Sequence, residues 1–284
     1  MAKPMISFEF FPPKTERARE RLWQNVGMLS TLNPAFMTVT YGAGGSTREW
    51  TVDTARRIQE DTGVPVASHL TCVITPKEEI VRIADDLWQS GIKHIVALRG
   101  DVPEGANPPA RDDPHYYHFS SNLVEGLLAR HPFEISVAAY PEKHPDAPSM
   151  DADIEALRKK SDAGAARAIT QFFFDNENFF RFMDKVSAAG ITTPVVPGIL
   201  PIVNFEKMEA FASRCGTHVP EYIREKFSGL DPDSSEARQV SKDIAARQVR
   251  ELMEGGINHF HFYTLNHAGQ TYEICRSLSL AQAR

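Results

Sequence analysis

Short, nearly unbroken apolar runs recur along this chain at Met5–Glu9, Phe36–Thr40, Pro65–His69, His94–Leu98, Glu134–Ala139, Ala168–Phe173, Pro194–Ile199 and His259–Tyr263. Continuous rather than alternating apolar character marks strands covered on both faces, as in a parallel sheet. The stretches between them change to a helical period. Ala18, Leu22, Val26 and Leu29 share one face of a helix, as do Phe179, Met183 and Val186. Ser46-Thr47-Arg48-Glu49 and Thr75-Pro76-Lys77-Glu78 have capping-box spacing, with Pro76 expected at the first helical position. Asp175 and Asn204 are expected N-caps, and Gly63, Gly91 and Gly190 expected C-terminal caps.

Eight strand–helix alternations without a linker or repeat predict an α/β chain forming a single (β/α)₈ TIM barrel across residues 1–284. Thr217 to Gly255 is too long for one crossover helix, so extra helices are expected before the eighth strand. Asp101–Tyr117, rich in Pro, Gly and Asp, reads as a long loop or lid. The competing architecture is an open doubly wound sheet binding a dinucleotide. It requires GxGxxG after an early strand, and Gly42-Ala43-Gly44-Gly45 lacks the final glycine.

Composition narrows the function without naming it. The 284 residues are 42% hydrophobic and 24% charged, with a net charge of −6. No basic stripe interleaved with aromatics is present, so nucleic acid is not an expected partner. No apolar run reaches the roughly 20 residues that span a bilayer. The first strand starts within five residues of the N-terminus, which leaves no room for a signal peptide, and a cytoplasmic location is expected. Cys72, Cys215 and Cys275 form no metal-ligand spacing, so reduced thiols and no metal are expected.

Polar residues collect where the strands end. Glu9, Thr40, His69, Arg99 with Asp101, Tyr140, Gln171 and Tyr263 mark seven of the eight. In a barrel these positions share the C-terminal rim, where this fold carries its active sites.

Ser7-Phe8-Glu9-Phe10-Phe11-Pro12-Pro13, Thr40-Tyr41-Gly42-Ala43, His69-Leu70-Thr71-Cys72 and Ala97-Leu98-Arg99-Gly100-Asp101 resemble successive strand-end motifs of the methylenetetrahydrofolate reductases. So do Ala139-Tyr140-Pro141-Glu142, Gln171-Phe172-Phe173-Phe174-Asp175, Pro197-Gly198-Ile199-Leu200-Pro201 and Phe260-His261-Phe262-Tyr263-Thr264-Leu265-Asn266. The resemblance covers nearly the whole length, in order, and has the extent of the short bacterial form without a regulatory domain. It implies a homo-oligomeric flavoenzyme that passes hydride from NADH or NADPH through FAD to 5,10-methylenetetrahydrofolate. Two alternatives stay open: a same-fold flavoenzyme using another reduced pterin or electron donor, and a non-catalytic folate- or flavin-binding subunit.

The resemblance makes Glu9 the general acid. Its apolar neighbours Phe8, Phe10 and Phe11 predict a carboxyl pKa raised by desolvation. Asp101 is implied to stabilise a cationic iminium and tune the flavin. Gln171, Phe211, Tyr263 and His267 are the implied substrate contacts. Thr40, His69, Leu98, Arg99, Gly100, Asp101, Phe119, Ser120, Tyr140, His144, Asp153, Lys159 and Lys160 are the implied FAD contacts. His144 and Lys160 are expected to neutralise the diphosphate, and Asp153 to accept from flavin-chain or ribose hydroxyls. Lys159 by itself reads as a solvated helix face, and Phe211 as helix core. Two departures stand out: His267 replaces the family's arginine after Thr-Leu-Asn, and the Asp101–Tyr117 loop is longer than the family pattern.

Overall fold

A computed structural model describes residues 3–41 and 48–280. Strands β1 (Met5–Phe10), β2 (Phe36–Val39), β3 (Val66–Thr71), β4 (His94–Leu98), β5 (Glu134–Ala139), β6 (Arg167–Phe172), β7 (Val195–Ile199) and β8 (His259–Tyr263) pair in parallel in chain order. β8 returns to β1, with Met5 opposite His259 and Glu9 opposite Tyr263, and closes the barrel. Each expected strand is present.

Helices α1 (Glu16–Ser30), α2 (Arg48–Thr62), α3 (Lys77–Gln89), α4 (Ser120–Arg130), α5 (Met150–Asp162), α6 (Asn176–Ala188) and α7 (Phe205–Cys215) follow the first seven strands. The expected extra helical segment before the eighth strand is α8 (Glu221–Phe227) and α9 (Ser235–Glu254). α10 (Ala268–Ser277) follows β8. No helix of the described residues is long and apolar enough to cross a membrane.

Most of the caps follow the sequence. Asp175 accepts from Glu177 N and Asn204 from Lys207 N, while Gly63, Gly91 and Gly190 take positive φ as terminating glycines do. The second expected capping box does not form. Pro76 stands at the N-cap of α3 rather than inside it, and no side chain caps the helix. The long loop after β4 supplies the missing acceptor: His115 O takes the Lys77 N–H at 2.8 Å, and Tyr116 bridges Pro76. Ser46 and Thr47 of the first box, and the Gly42-Ala43-Gly44-Gly45 run, lie outside the described residues.

Strand alternation sorts the side chains into two environments. Ile6, Phe8 and Phe10 of β1 are fully buried and, with Phe260 and Phe262 of β8, join Leu22, Val26 and Leu29 of α1 in the main core. Ser7 and Glu9 point the other way, into the barrel. The apolar side chains clustered there are Phe36, Ile169 and Val196. Phe36 is the hub of the barrel foot: its ring centroid lies 4.7 Å from that of His94, 5.7 Å from His259 and 6.0 Å from His261. The Arg167 guanidinium sits 4.9 Å over it. His94 Nε2 meets Ser136 Oγ at 2.8 Å, and Arg167 pairs with Glu134.

Burial and neighbouring positive charge push these histidines down. His259 falls from 6.5 to about 3, through burial first and then His261 and Arg167; His94 falls well below 6.5. The sign of the consequence follows. Below pH 6.5 the unfolded chain binds these protons first, so the stability they allow is complete above about pH 6.5. It is lost between 6.5 and about 3 for His259, and as pH falls below 6.5 for His94, by up to about 1.4 kcal/mol per pH unit for each histidine. Thermal melts from pH 8 to 4 are expected to show this slope, and His259→Gln is expected to flatten it by one proton's share.

Candidate active site

Glu9 occupies the barrel mouth with 13% of its side chain exposed, and three elements converge on Oε2. His69 Nε2 of β3 is 3.3 Å away, His261 Nε2 of β8 is 3.8 Å away, and Thr38 Oγ1 of β2 donates at 3.5 Å. Burial raises the Glu9 pKa, but hydrogen bonding and charge attraction from His261 and His69 outweigh it, leaving it at about 2. The expectation of a raised value is therefore corrected. Phe8 and Phe10 adjoin Glu9 in sequence but face the opposite side of the sheet, so they do not set its dielectric. The site holds a carboxylate against two imidazoles rather than a lone acid in an apolar pocket.

The β1–β8 seam is fastened by residues for which the sequence reading assigned no role. Thr264 Oγ1 donates to Glu9 O at 2.5 Å, and Asn266 clasps Phe11 by donating to its carbonyl and accepting its N–H. Asn266 and Leu265 both take positive φ, a conformation that asparagine tolerates best among side chains of its size. Phe11, 41% exposed, is thereby presented at the mouth, and Phe119, 57% exposed, ends the long loop at the N-terminus of α4, where Ser120 follows.

Tyr263 crosses the mouth and donates to Thr170 O at 2.7 Å. The space its ring needs exists because residue 198 has no side chain: a Cβ there would lie 2.5 Å from the Tyr263 ring and 2.3 Å from Thr170 O. Gly198→Ala is expected to cost about 1–3 kcal/mol, the range for overpacking, and to break the Tyr263 bond. Denaturant unfolding measures the first and tyrosine fluorescence the second.

The β4 end is shaped the same way. Gly100 has φ +81°, and a Cβ on it would strike Thr71 at 2.7 Å, so the backbone after Leu98 can fold tightly against β3. Arg99 O accepts from Cys72 N and Val73 N there. The Arg99 and Asp101 side chains remain exposed at the mouth. Asp101 does not cap α4, whose N-cap is Phe119. Its charge reaches Tyr140 and Cys215, which places the ends of β4 and β5 and the C-terminus of α7 around one space.

Beyond β5, Tyr140 meets His144 edge to face at 4.6 Å. Asp153 of α5 accepts from His144 N at 2.7 Å, and His144 Nδ1 accepts from Asp146 N, which leaves its Nε2 to serve a ligand. Lys160 is 7% exposed, its ammonium donates to Ala138 O at 2.5 Å, and burial lowers its pKa to about 8 despite Asp153. It therefore acts from beneath the end of β5, while Lys159 is exposed. Gln171 accepts from Phe172 N and keeps its amide N–H groups for another partner. Phe211 of α7 packs on Phe172 at 5.2 Å and contributes to a second cluster with Met208 and Ile223. His267 is exposed at the start of α10, and Arg21 and Lys207 lie near enough to lower its pKa after burial.

An elongated, multi-ring anionic cofactor fits this donor set. Thr40 and His69 stand at the mouth beside Arg99 and the backbone of Gly100, with Tyr140 as an aromatic wall. His144, Asp153 and Lys160 add one imidazole, one hydroxyl acceptor and one buried ammonium between the end of β5 and α5. His69 Nε2 is buried without a fully formed hydrogen bond.

Known proteins align with the chain along the same length. A methylenetetrahydrofolate reductase family profile matches residues 1–279. The 5,10-methylenetetrahydrofolate reductase of Pectobacterium carotovorum is 46% identical over 275 residues, covering 97% of this chain and 90% of that protein. The Escherichia coli enzyme of the same name is 44% identical over the same coverage. Among solved structures, a Clostridium thermocellum protein described as binding two copies of 5-methyl-5,6,7,8-tetrahydrofolic acid superposes with a TM-score of 0.65. It covers 98% of this chain and 94% of its own at 15% identity, a likeness of fold alone. A barrel with this rim, matched by the family profile over residues 1–279 and by these relatives over 97% of its length, belongs to the methylenetetrahydrofolate reductase family.

Proposed function

We propose that the chain reduces 5,10-methylenetetrahydrofolate to 5-methyltetrahydrofolate with electrons from NADH or NADPH, in a ping-pong reaction through FAD. The observation that carries this reading is the Glu9 carboxylate set between His69 and His261 at the mouth of a barrel of this family. When bound, FAD supplies the hydride carrier that takes two electrons from the nicotinamide and returns them to the folate.

The chain's own residues do the rest. Opening the folate's bridging ring needs a proton on one of its nitrogens, and Glu9 delivers that proton after receiving it from the adjoining imidazole pair. Proton delivery by a positioned group is general acid catalysis. Asp101, exposed at the same mouth, offers a negative charge to the cationic iminium that ring opening leaves on the substrate. Gln171 turns its free amide edge to the pterin, and Tyr263 and Phe211 give aromatic surface to stack on the substrate or nicotinamide. Thr40, His69, Arg99, Tyr140, His144, Asp153 and Lys160 hold the flavin, with Leu98, Gly100, Phe119 and Ser120 shaping its edge.

His267 follows Thr264-Leu265-Asn266 at the start of α10, and burial with Arg21 and Lys207 nearby lowers its pKa, which favours the neutral ring. Arg21 and Lys207 provide the positive charge around it instead. The double substitution Arg21→Ala with Lys207→Ala is expected to raise KM for the folate about tenfold, with kcat changed little. Steady-state kinetics at low ionic strength measures this, and 0.5 M salt is expected to shrink the difference, since exposed charges are screened. FAD binding tests the cofactor assignment directly. Purified protein is expected to carry or take up FAD with a flavin absorbance band, and Asp153→Ala is expected to weaken that binding. A protein that takes up no FAD would refute the assignment.

A further inference from the structure

The two imidazoles beside Glu9 differ in what stands behind them. His69 belongs to the cofactor side of the mouth. His261 is 1% exposed, and its second nitrogen points down the barrel: Nδ1 lies 2.8 Å from Ser7 Oγ, itself fully buried. Ser7 Oγ lies 3.3 Å from His259 Nε2, one layer lower. His261 Nε2, which faces Glu9, is buried without a fully formed hydrogen bond.

Donor counting restricts how this set can be protonated. A serine hydroxyl donates one hydrogen, and a neutral imidazole donates from one nitrogen and accepts at the other. With Glu9 ionised, an N–H on His261 Nε2 is the favourable neighbour; Nδ1 then takes the Ser7 O–H at 2.8 Å in preference to Phe260 O at 3.5 Å, and Ser7 accepts from His259 Nε2–H. With Glu9 protonated, every bond in the set reverses. The charge state of Glu9 is thus coupled to the tautomer of a histidine two contacts away. Flavin and folate together would fill the mouth and close the direct route from solvent to Glu9, whereas the foot lies near the exposed Glu134.

We propose that His259, Ser7 and His261 form a proton line that recharges Glu9 from the foot of the barrel. This rests on the reading of Glu9 as the acid in folate reduction. In the step, the His261 Nε2–H bond breaks as an O–H bond forms on Glu9 Oε2. The Ser7 proton moves to His261 Nδ1, the His259 Nε2 proton moves to Ser7, and His259 takes one from water at the foot. One proton enters and one leaves with the substrate nitrogen; no electrons change place. Reorientation of the hydroxyl and rings resets the line. The groups around it are Glu9, Thr38, His69 and Tyr263 from the mouth, and Phe36, His94 and Arg167 from the foot. Arg167 and the clustered imidazoles disfavour a standing cation, so a proton is passed on rather than stored.

The test combines single-turnover kinetics with ¹⁵N NMR of the histidine rings. In Ser7→Ala, the folate half-reaction is expected to slow tenfold or more with an altered pH profile, while the nicotinamide half-reaction keeps the wild-type rate. His259→Phe, which cuts the line one link further down, is expected to do the same and serves if Ser7→Ala does not fold. In the resting wild type, NMR is expected to find His259 and His261 both protonated on Nε2. Wild-type folate kinetics and pH profile in Ser7→Ala, or His259 and His261 in opposite tautomers, would overturn the proton line. A wild type that transfers no hydride to the folate would instead remove the reaction assigned to this site, and the NMR result would still decide whether the line exists.

Discussion

Replacing Glu9 by Gln is expected to slow the folate half-reaction by about 10²–10⁴-fold, the usual worth of a positioned general acid, and to leave the nicotinamide half-reaction nearly intact. Gln keeps the size of the side chain and can still meet His69 and His261, so loss of packing does not explain such a result. What it loses is the ability to receive a proton from His261 and hand it to the substrate. Stopped-flow absorbance at the flavin band separates the two half-reactions. Equal slowing of both would assign Glu9 to flavin binding rather than to acid catalysis.

Phe36→Ala carries the largest expected effect on stability, a loss of about 3–5 kcal/mol as for other buried Phe-to-Ala changes. For a chain of this length that corresponds to a fall in Tm of about 5–10 °C. Phe36 is 3% exposed and supports His94, His259, His261 and Arg167 on its faces and edges. Its removal takes the apolar partner from four polar groups at once and admits water to the foot of the barrel. Calorimetry at pH 8 measures the loss. Because His259 then gains access to solvent, the acid sensitivity of the variant is expected to be weaker than that of the wild type between pH 6.5 and 4.

The strands and their closure were legible because parallel strands buried on both faces leave continuous apolar runs, and eight of them with helices between have few ways to pack. Most helix ends were legible too, since Asp175, Asn204 and the terminating glycines act through neighbours in sequence. The start of α3 was not. Its acceptor, His115 O, arrives from a loop almost forty residues later, where no local rule operates.

The site divides along the same line. Polar residues at strand ends marked the mouth, and their placement around one space follows from the barrel itself. The state of Glu9 was misread from its sequence neighbours, whereas the groups that set it come from β2, β3 and β8. His261 and Ser7 were in view inside recognised motifs. The signal that distinguishes them was period-two alternation: Ser7 with Glu9, and His259 with His261 and Tyr263, place polar groups on the inner face of strands whose other face is apolar. Gly198 gave no sign of its role, which depends on the Tyr263 ring from the adjoining strand.

One measurement bears most directly on the central claim: anaerobic titration of the FAD-loaded protein, first with NADH and then with 5,10-methylenetetrahydrofolate, followed by absorbance. The flavin band is expected to bleach with the nicotinamide and to return with one equivalent of the folate. A band that bleaches with NADH and stays bleached when the folate is added would contradict the assigned reaction.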